Sequence, residues 1–571
     1  MMMSFSPSAA LEGQSVLLTG GLGFAGRVIA EQLLRLTGVR RLYLLVRDKR
    51  GKSADERVAE LLASPLFHLV PPADRACVTA VRGDLLAPGL GLGRGDAAQL
   101  RAEVTVVIHC AANIELDAEV HKTLRTNYVG TEALLALAAG MPRLSALVHV
   151  STYYVNNHAP RGSTVAEAMY PLPLRLGGGA ELDHAAFVAA LLAMPPVEAD
   201  AAAACVMEDA GFTSTYALGK HLAERLVAAA PLPRGAARAI VRPSLIASVA
   251  GAPYPGIRAG LHALPAGIAY AADAVMDLVP ADVVAALVIA AAGAAASGAG
   301  PAPRVAAGGG AGGLVIYHAT SAQSHPLTIE RCYAAMREFW SANAPPFRLP
   351  GSRYVTMRPG HVPSQAAIEA ARAGVARKVS AVCRLLALAR CRRAARALST
   401  GFRAFGTFNS IAYGKSFVCA VDNARGLAAA LARGRGGALA PGVGARGDGL
   451  GDLRVHLPGG RAAAAVRRHQ AQRRARAAPP VCRAEPRARP AAEAGHAAAK
   501  ARGLPTAGGA AAPVIRRRGC WPVASCFGGA RAARASASGC SLADSAASAA
   551  SVADVRAIVV EAPDAPSGGA A

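Results

Sequence analysis

An α/β fold built on a doubly wound parallel sheet is predicted by three observations. A glycine-rich turn, Thr19-Gly-Gly-Leu-Gly-Phe-Ala-Gly26, lies between a short apolar run and an amphipathic one. Further apolar runs of strand length follow, separated by longer segments. Far downstream stand Tyr216 and Lys220, four residues apart.

The run Ser15-Val-Leu-Leu-Thr19 reads as a buried strand and Arg27 to Arg35 as an amphipathic helix, so strand, glycines and helix come in the order a dinucleotide site requires. Gly20 allows the tight turn, Gly23 lets the backbone approach a pyrophosphate, and Gly26 permits close packing of helix on strand. The helix N-terminus, beginning near Phe24, then faces the phosphates. A second strand, Leu42 to Val46, ends at Arg47, where an acid would meet the ribose hydroxyls of a cofactor lacking the 2′-phosphate. An arginine there favours NADPH. Lys49 and Arg50 add to that phosphate site, although Asp48 lies among them and a solvated charge run is the rival reading.

Val78 to Leu85 reads as a third strand whose Asp84 bonds the adenine amino group or serves as an ordinary turn aspartate. Val104 to Ala112 makes a fourth, with Ala111 among the small residues that leave room for the cofactor, and Asn127 starts or supports the next helix. The fifth, Ala146 to Val150, runs into Ser151 and Thr152. This puts two hydroxyls at the carboxyl edge of a parallel sheet, where ligands bind. Thr152 is assigned to the substrate carbonyl ahead of Ser151, against the plain reading of a turn-forming hydroxyl. On a helix Tyr216 and Lys220 share a face, so the cation is expected to favour phenolate and make the phenol more acidic. Alone, such a pair is more often two solvated side chains; the upstream glycine turn gives it weight. The cofactor contacts expected are Thr19, Gly20, Gly23, Phe24, Gly26, Arg47, Asp84, Leu85, Ala111 and Lys220, and the catalytic residues Thr152, Tyr216 and Lys220.

With these motifs in place, the chain resembles the extended short-chain dehydrogenase/reductases, of Rossmann fold, and within them the alcohol-forming fatty acyl-CoA reductases. The resemblance rests also on His109-Cys-Ala-Ala-Asn113, His149-Val-Ser-Thr-Tyr-Tyr-Val-Asn156, Val241-Arg-Pro-Ser244, Pro253-Tyr-Pro-Gly256, Asp277-Leu-Val-Pro-Ala-Asp282 and Ile316-Tyr-His-Ala-Thr-Ser321 with Pro326-Leu327. Tyr413-Gly-Lys-Ser-Phe417 and Asp422 to Leu427 are similar to the small helical C-terminal domain of those enzymes. The pattern departs at Ile257, where tryptophan is frequent, and after Leu427. The resemblance implies reduction of a long-chain acyl-CoA to a primary alcohol with two NADPH, through a hemithioacetal and an aldehyde. Tyr216 and Thr152 would hold the carbonyl oxygen and Lys220 a ribose hydroxyl. Three alternatives stand beside it: a thioester reductase that releases the aldehyde, a related enzyme of sugar nucleotides or hydroxysteroids, and a non-catalytic dinucleotide-binding scaffold.

The expected organisation is a short leader (1–14), a reductase domain (15–330), a smaller, mainly helical C-terminal domain (331–430) and a disordered basic tail (431–571). The 571 residues, 53% of them hydrophobic, suffice for several cores. Of the formal +25, about half comes from residues 431–571, which hold 21 basic and 8 acidic side chains among Ala, Gly, Arg, Pro and Ser. Too few large apolar residues lie there to offset the entropy of ordering. Such a tail could bind acidic lipid or RNA; GC-rich coding sequence or a misread exon boundary yields the same composition. No specific nucleic-acid partner is therefore expected.

Arg372 to Arg403 interleaves arginines with Val379, Val382, Leu385, Leu386 and Leu398. The pattern suits a helix packing inward or a basic amphipathic helix lying on an anionic membrane, so peripheral attachment stays among the expectations. Val283 to Pro303 is uncharged yet rich in Ala and Gly, and is expected to be a helix ending in a loop rather than a bilayer span. With no secretory pattern at Met1 to Gln14, the expected place is the cytoplasm or a membrane surface, that of the endoplasmic reticulum or peroxisome included. The eleven cysteines have no Cys-x-x-Cys pair, and His109, His318 and His325 lack ligand spacing, so no metal is expected.

Overall fold

Seven apolar runs pair as strands of one sheet: β1 (Ser15–Thr19), β2 (Arg41–Val46), β3 (Val78–Arg82), β4 (Val106–His109), β5 (Ala146–Val150), β6 (Ala237–Pro243) and β7 (Leu314–Ala319). Their order is β7-β6-β5-β4-β1-β2-β3, and every pairing is parallel. The computed structural model describes residues 6–116, 118–160, 162–172, 183–251, 253, 269–270, 275–299, 313–324, 326–328, 331, 360–361, 365–388, 391, 398 and 417–433. All of these lie in one unit; a second unit, residues 463–544, falls outside them.

A strand covered on both faces cannot alternate polar and apolar residues, which is why β1 is buried at all five positions and β2 at five of six. Val16, Leu18, Leu42, Leu44, Val106, Ile108 and Val148 join one core with α1 (Phe24–Leu36) and α4 (Ala281–Ser297). Leu17, Tyr43, Val107, Leu147 and Ile240 join another with Leu134, Leu137 and Val227. These last come from α2, residues 120–139, and α3 (Thr215–Ala229). The chain therefore winds in both directions from β1, and the switch between β1 and β4 opens a crevice at their carboxyl ends.

Helix α4 is the uncharged alanine-rich segment. Its small side chains are buried against α1 and the sheet, and it ends at Gly298 with φ +67°. Among the described residues no helix is long and apolar enough to cross a membrane. The leader contains one short helix, Pro7–Leu11, whose Leu11 enters the core with α4.

The helix expected near Asn127 starts earlier. Val120–Leu124 leads through a π-helical turn, Arg125–Val129, into Gly130–Ala139, so Asn127 sits mid-helix. The widened turn accompanies the use of the Asn127 side chain outside the helix, described below.

Of the expected C-terminal domain, the described parts are Gly360–His361, paired with Ala269–Tyr270; α5 (Gln365–Leu388); isolated residues; and 417–433. That last segment belongs to the reductase unit. Val418–Cys419 pairs with Thr164–Val165, and α6 (Asp422–Arg433) buries Ala424, Leu427, Ala430 and Leu431 in the core shared by α1 and α4. The expected boundary at 430 cuts α6. Tyr413 to Ser416, Tyr254 to Ile257, His325 and the tail from 434 onward lie outside the described residues.

Candidate active site

The glycine turn has the geometry its sequence implies. Gly20 has φ +73°, and a Cβ there would lie 2.7 Å from the Ala111 nitrogen. A Cβ on Gly26 would lie 2.1 Å from the Gly20 carbonyl, so only glycine lets α1 start this close to β1. Gly23 caps α1 without any side-chain hydrogen bond, which leaves the first-turn amides beginning at Phe24 free for an anion. Arg27 ties the turn together through the Leu22 carbonyl at 2.9 Å and that of Gly23 at 3.2 Å. These residues fit a dinucleotide pyrophosphate.

At the adenosine end, Arg47 and Asp84 meet across β2 and β3 at 3.7 Å, both well exposed. The other Asp84 oxygen accepts from the Leu86 amide at 3.1 Å, so its carboxylate forms a turn as well as facing Arg47. Leu85 packs against Gly130 of α2. Arg82 pairs with Asp48 at 2.9 Å, and Arg57, from the helix Ala54–Leu62, donates to the Arg47 carbonyl. Arg47 is the main cause depressing the Lys49 ammonium, and it reinforces burial in depressing Arg57. Arg47, Lys49, Arg50 and Arg57 thus repel one another despite Asp48, Glu60 and Asp84 nearby, which favours a bound dianion. Arg57 escaped the sequence reading because it reaches back from the following helix.

Across the crevice floor runs a chain of buried hydrogen bonds. The Ala111 amide donates to Thr19 Oγ1 at 3.2 Å, and Thr19 Oγ1 lies 2.7 Å from His109 Nδ1. His109 Nε2 lies 2.9 Å from Thr131 Oγ1, which donates to the Asn127 carbonyl at 2.7 Å. Because the Thr131 proton is committed, His109 donates from Nε2 and accepts from Thr19 at Nδ1. Burial, ahead of the Lys220 charge, holds its pKa down at about 3, so it is neutral. The Asn127 side chain accepts from the Asn113 amide at 2.7 Å and donates to the Asn113 carbonyl at 2.9 Å, fixing the loop after β4.

Thr152, Tyr216 and Lys220 converge at the end of β5. Ser214 caps α3 by accepting from the Ala217 amide at 3.2 Å, which sets Tyr216 in the first turn and Lys220 one turn on. The Thr152 side chain lies close enough to Tyr216 to act on its hydroxyl, and its own Oγ1 donates to the Pro243 carbonyl at 3.5 Å. Thr152 Oγ1 also accepts from the Tyr154 amide at 3.3 Å. Lys220 is 2% exposed and donates to the Val150 carbonyl at 2.7 Å, with Nζ 3.3 Å from His149 Nε2. Ser151 Oγ is buried without a hydrogen-bond partner among the described residues.

The electrostatics differ from the sequence expectation. Burial raises the Tyr216 hydroxyl to about 12, with the neighbouring Thr152 side chain opposing it, and burial lowers the Lys220 ammonium to about 8. Desolvation dominates and the Lys220 charge is not among the causes of the shift, so Tyr216 stays a protonated phenol near neutrality: a hydrogen-bond donor and acid rather than a phenolate.

Holding α3 in place is a buried ion pair. Arg242, on β6, donates to Glu224 at 3.0 and 2.6 Å and to the Ala168 carbonyl at 2.8 Å. His318 is a hydrogen-bonding residue, its Nδ1 2.8 Å from the Ala420 carbonyl. Among the described residues no His, Cys, Asp and Glu cluster could hold a metal, and Cys77, Cys110, Cys205, Cys391 and Cys419 are thiols outside any disulfide.

Residues 18–288 match the family model described as Male sterility protein, an NAD-binding domain. The fatty acyl-CoA reductase named wat from Drosophila melanogaster is 38% identical over 146 residues, covering 25% of this chain and 28% of that protein. Fatty acyl-CoA reductase 1 of Xenopus laevis is 31% identical over 289 residues, 48% of this chain and 53% of the frog protein. The chain thus spans about half the length of the frog relative, and less of the fly one. Among solved structures, the terminal R domain from a myxalamid biosynthetic pathway is 23% identical over 57% of this chain and 70% of that one, at a TM-score of 0.41. The fold assignment rests on the sheet order, not on that likeness. Over residues 18–288 the chain thus matches the Male sterility model of NAD-binding domains, and its sequence there is similar to animal fatty acyl-CoA reductases.

Proposed function

We propose that the protein reduces a long-chain fatty acyl-CoA to the primary alcohol, using NADPH. The observation that carries this reading is the convergence of Thr152, Tyr216 and the buried Lys220 at the end of β5, on the same sheet edge as the glycine turn after β1. When bound, the nicotinamide supplies hydride to the carbonyl carbon. The chain does the rest. The Tyr216 hydroxyl, kept protonated by burial, donates to the carbonyl oxygen and stabilises the charge that grows there; Thr152 gives a second donor. Lys220 would hold a ribose hydroxyl. The hemithioacetal so formed would collapse by expelling CoA, and the aldehyde left would meet the same pair of donors once a second NADPH had replaced the spent cofactor.

The preference for NADPH over NADH is supported by the cluster of Arg47, Lys49, Arg50 and Arg57, which a 2′-phosphate would relieve of repulsion. The outer side of α5 carries exposed Val382, Leu385 and Leu388 beside Arg377, Lys378 and Arg384, which supports peripheral attachment to an anionic membrane as part of the same reading.

The purified full chain, given palmitoyl-CoA with NADPH or NADH in parallel and followed by gas chromatography of the lipid, is expected to yield hexadecanol with NADPH preferred. Aldehyde as the sole product would replace the reading with a two-electron thioester reductase. NADPH bound without any lipid product would reject the acyl-CoA substrate.

A further inference from the structure

Lys220 is buried with no carboxylate in ion-pair contact among the described residues, and its position rests on two acceptors, the Val150 carbonyl and His149 Nε2. An ammonium can only donate, so Nε2 accepts and the proton of the neutral His149 ring sits on Nδ1. Nδ1 is buried and has no hydrogen-bond partner among the described residues. A buried donor without a partner is costly, and an apolar ring would avoid the cost. What the imidazole provides in return is the contact with Lys220.

The surroundings leave that contact unopposed. His149 lies on β5 directly opposite His109 on β4, with ring centroids 5.1 Å apart, and burial holds its pKa well below the usual value. His109 is neutral and engaged at both nitrogens. Cys110, pushed up to about 11 by burial, is a neutral thiol, and Glu224 is tied to Arg242. The groups facing the ammonium thus include no free anion to draw it away.

We infer that His149 is a positioning residue. Its neutral imidazole and the Val150 carbonyl occupy two of the three ammonium hydrogens of Lys220 and leave the third for the cofactor ribose. The inference rests on the reading of Lys220 as the ribose-holding residue.

The test is a double-mutant cycle on NADPH affinity, read by cofactor fluorescence at pH 7 on the full chain, with melting curves to confirm folding. His149→Phe, which keeps a ring and removes the acceptor, should weaken binding roughly tenfold, while His149→Gln, which retains one, should stay within about threefold of wild type. In a Lys220→Met background the Phe substitution should cost nothing more. Should the Phe variant fail to fold, His149→Asn, whose shorter amide withdraws from Lys220, takes its place. Equal losses from Phe and Gln, an undiminished loss in the Lys220→Met background, or wild-type affinity in His149→Phe would each overturn the inference. Wild-type protein that binds no NADPH would instead bring down the cofactor reading, and this inference with it.

Discussion

At the scale of single residues the site works through desolvation. Tyr216→Phe should lower turnover by roughly 100-fold to 1,000-fold with NADPH affinity retained, because only the donor to the developing oxyanion is lost; stopped-flow binding beside product analysis checks both halves. Lys220 adds a pH signature. Its folded pKa of about 8 lies below the ordinary lysine value. Below about 8 the buried charge opposes folding in full, and that penalty is relieved as pH rises toward about 10.4. The ammonium's hold on the ribose fades over the same range. Apo melting temperature should therefore gain a stabilising component while NADPH affinity falls; parallel slopes would remove Lys220 from the cofactor site. Spacing along the chain singled out Gly20, Gly23, Gly26, Thr152, Tyr216 and Lys220 as candidates. It missed the direction of the Tyr216 shift, because four residues' separation reports a shared helix face and says nothing of burial. His149 stayed hidden because its role depends on the register of β4 against β5.

At the scale of elements, the ion pair between α3 and β6 fixes where Tyr216 and Lys220 stand. Arg242 and Glu224 are 2% and 1% exposed as side chains. Removing one partner of such a pair strands a buried charge at a cost of about 3–5 kcal/mol, whereas replacing both with apolar groups of similar volume can be close to neutral. Arg242→Met should thus be strongly destabilising in urea unfolding, and Arg242→Met with Glu224→Leu should recover most of the loss. If the double variant is as unstable as the single, packing rather than charge holds the helix. Arg242 was visible in the sequence as part of Val-Arg-Pro-Ser, but its partner was not, since Glu224 is an ordinary helical glutamate until α3 is laid on β6. Strands β1 and β5 were legible to the residue because apolar runs end sharply there. The start of α2 was not, because Asn127 resembles a helix start while its side chain holds the Asn113 backbone.

At the scale of the whole molecule, the reductase unit closes only with residues far along the chain. Phe417 stacks on Tyr153 at 5.3 Å, His318 contacts the Ala420 carbonyl, and Glu167 accepts from the amides of His318 and Asn423. A chain ended after Arg433 should fold and bind NADPH, whereas one ended after Ser416 should melt well below it, having lost Phe417, Cys419, Leu427 and Leu431 from its cores. Equal melting temperatures would make 417–433 an appendage. Composition set the start of the expected tail at residue 431, inside α6, and no local pattern announced that Val418 and Cys419 would pair with Thr164 and Val165.

That closure also sets a clock. Glu167 and Asn423 stand 256 residues apart, so at typical synthesis rates roughly 10 to 50 seconds pass between the appearance of the one and the other. Through that interval the nascent sheet already has most of its strands, while the apolar surface around Tyr153 and Leu427's seat lacks its cover. The finishing stroke of the reductase unit is thus a late, long-range docking event, and its susceptibility to aggregation should be greatest just before residue 433 emerges.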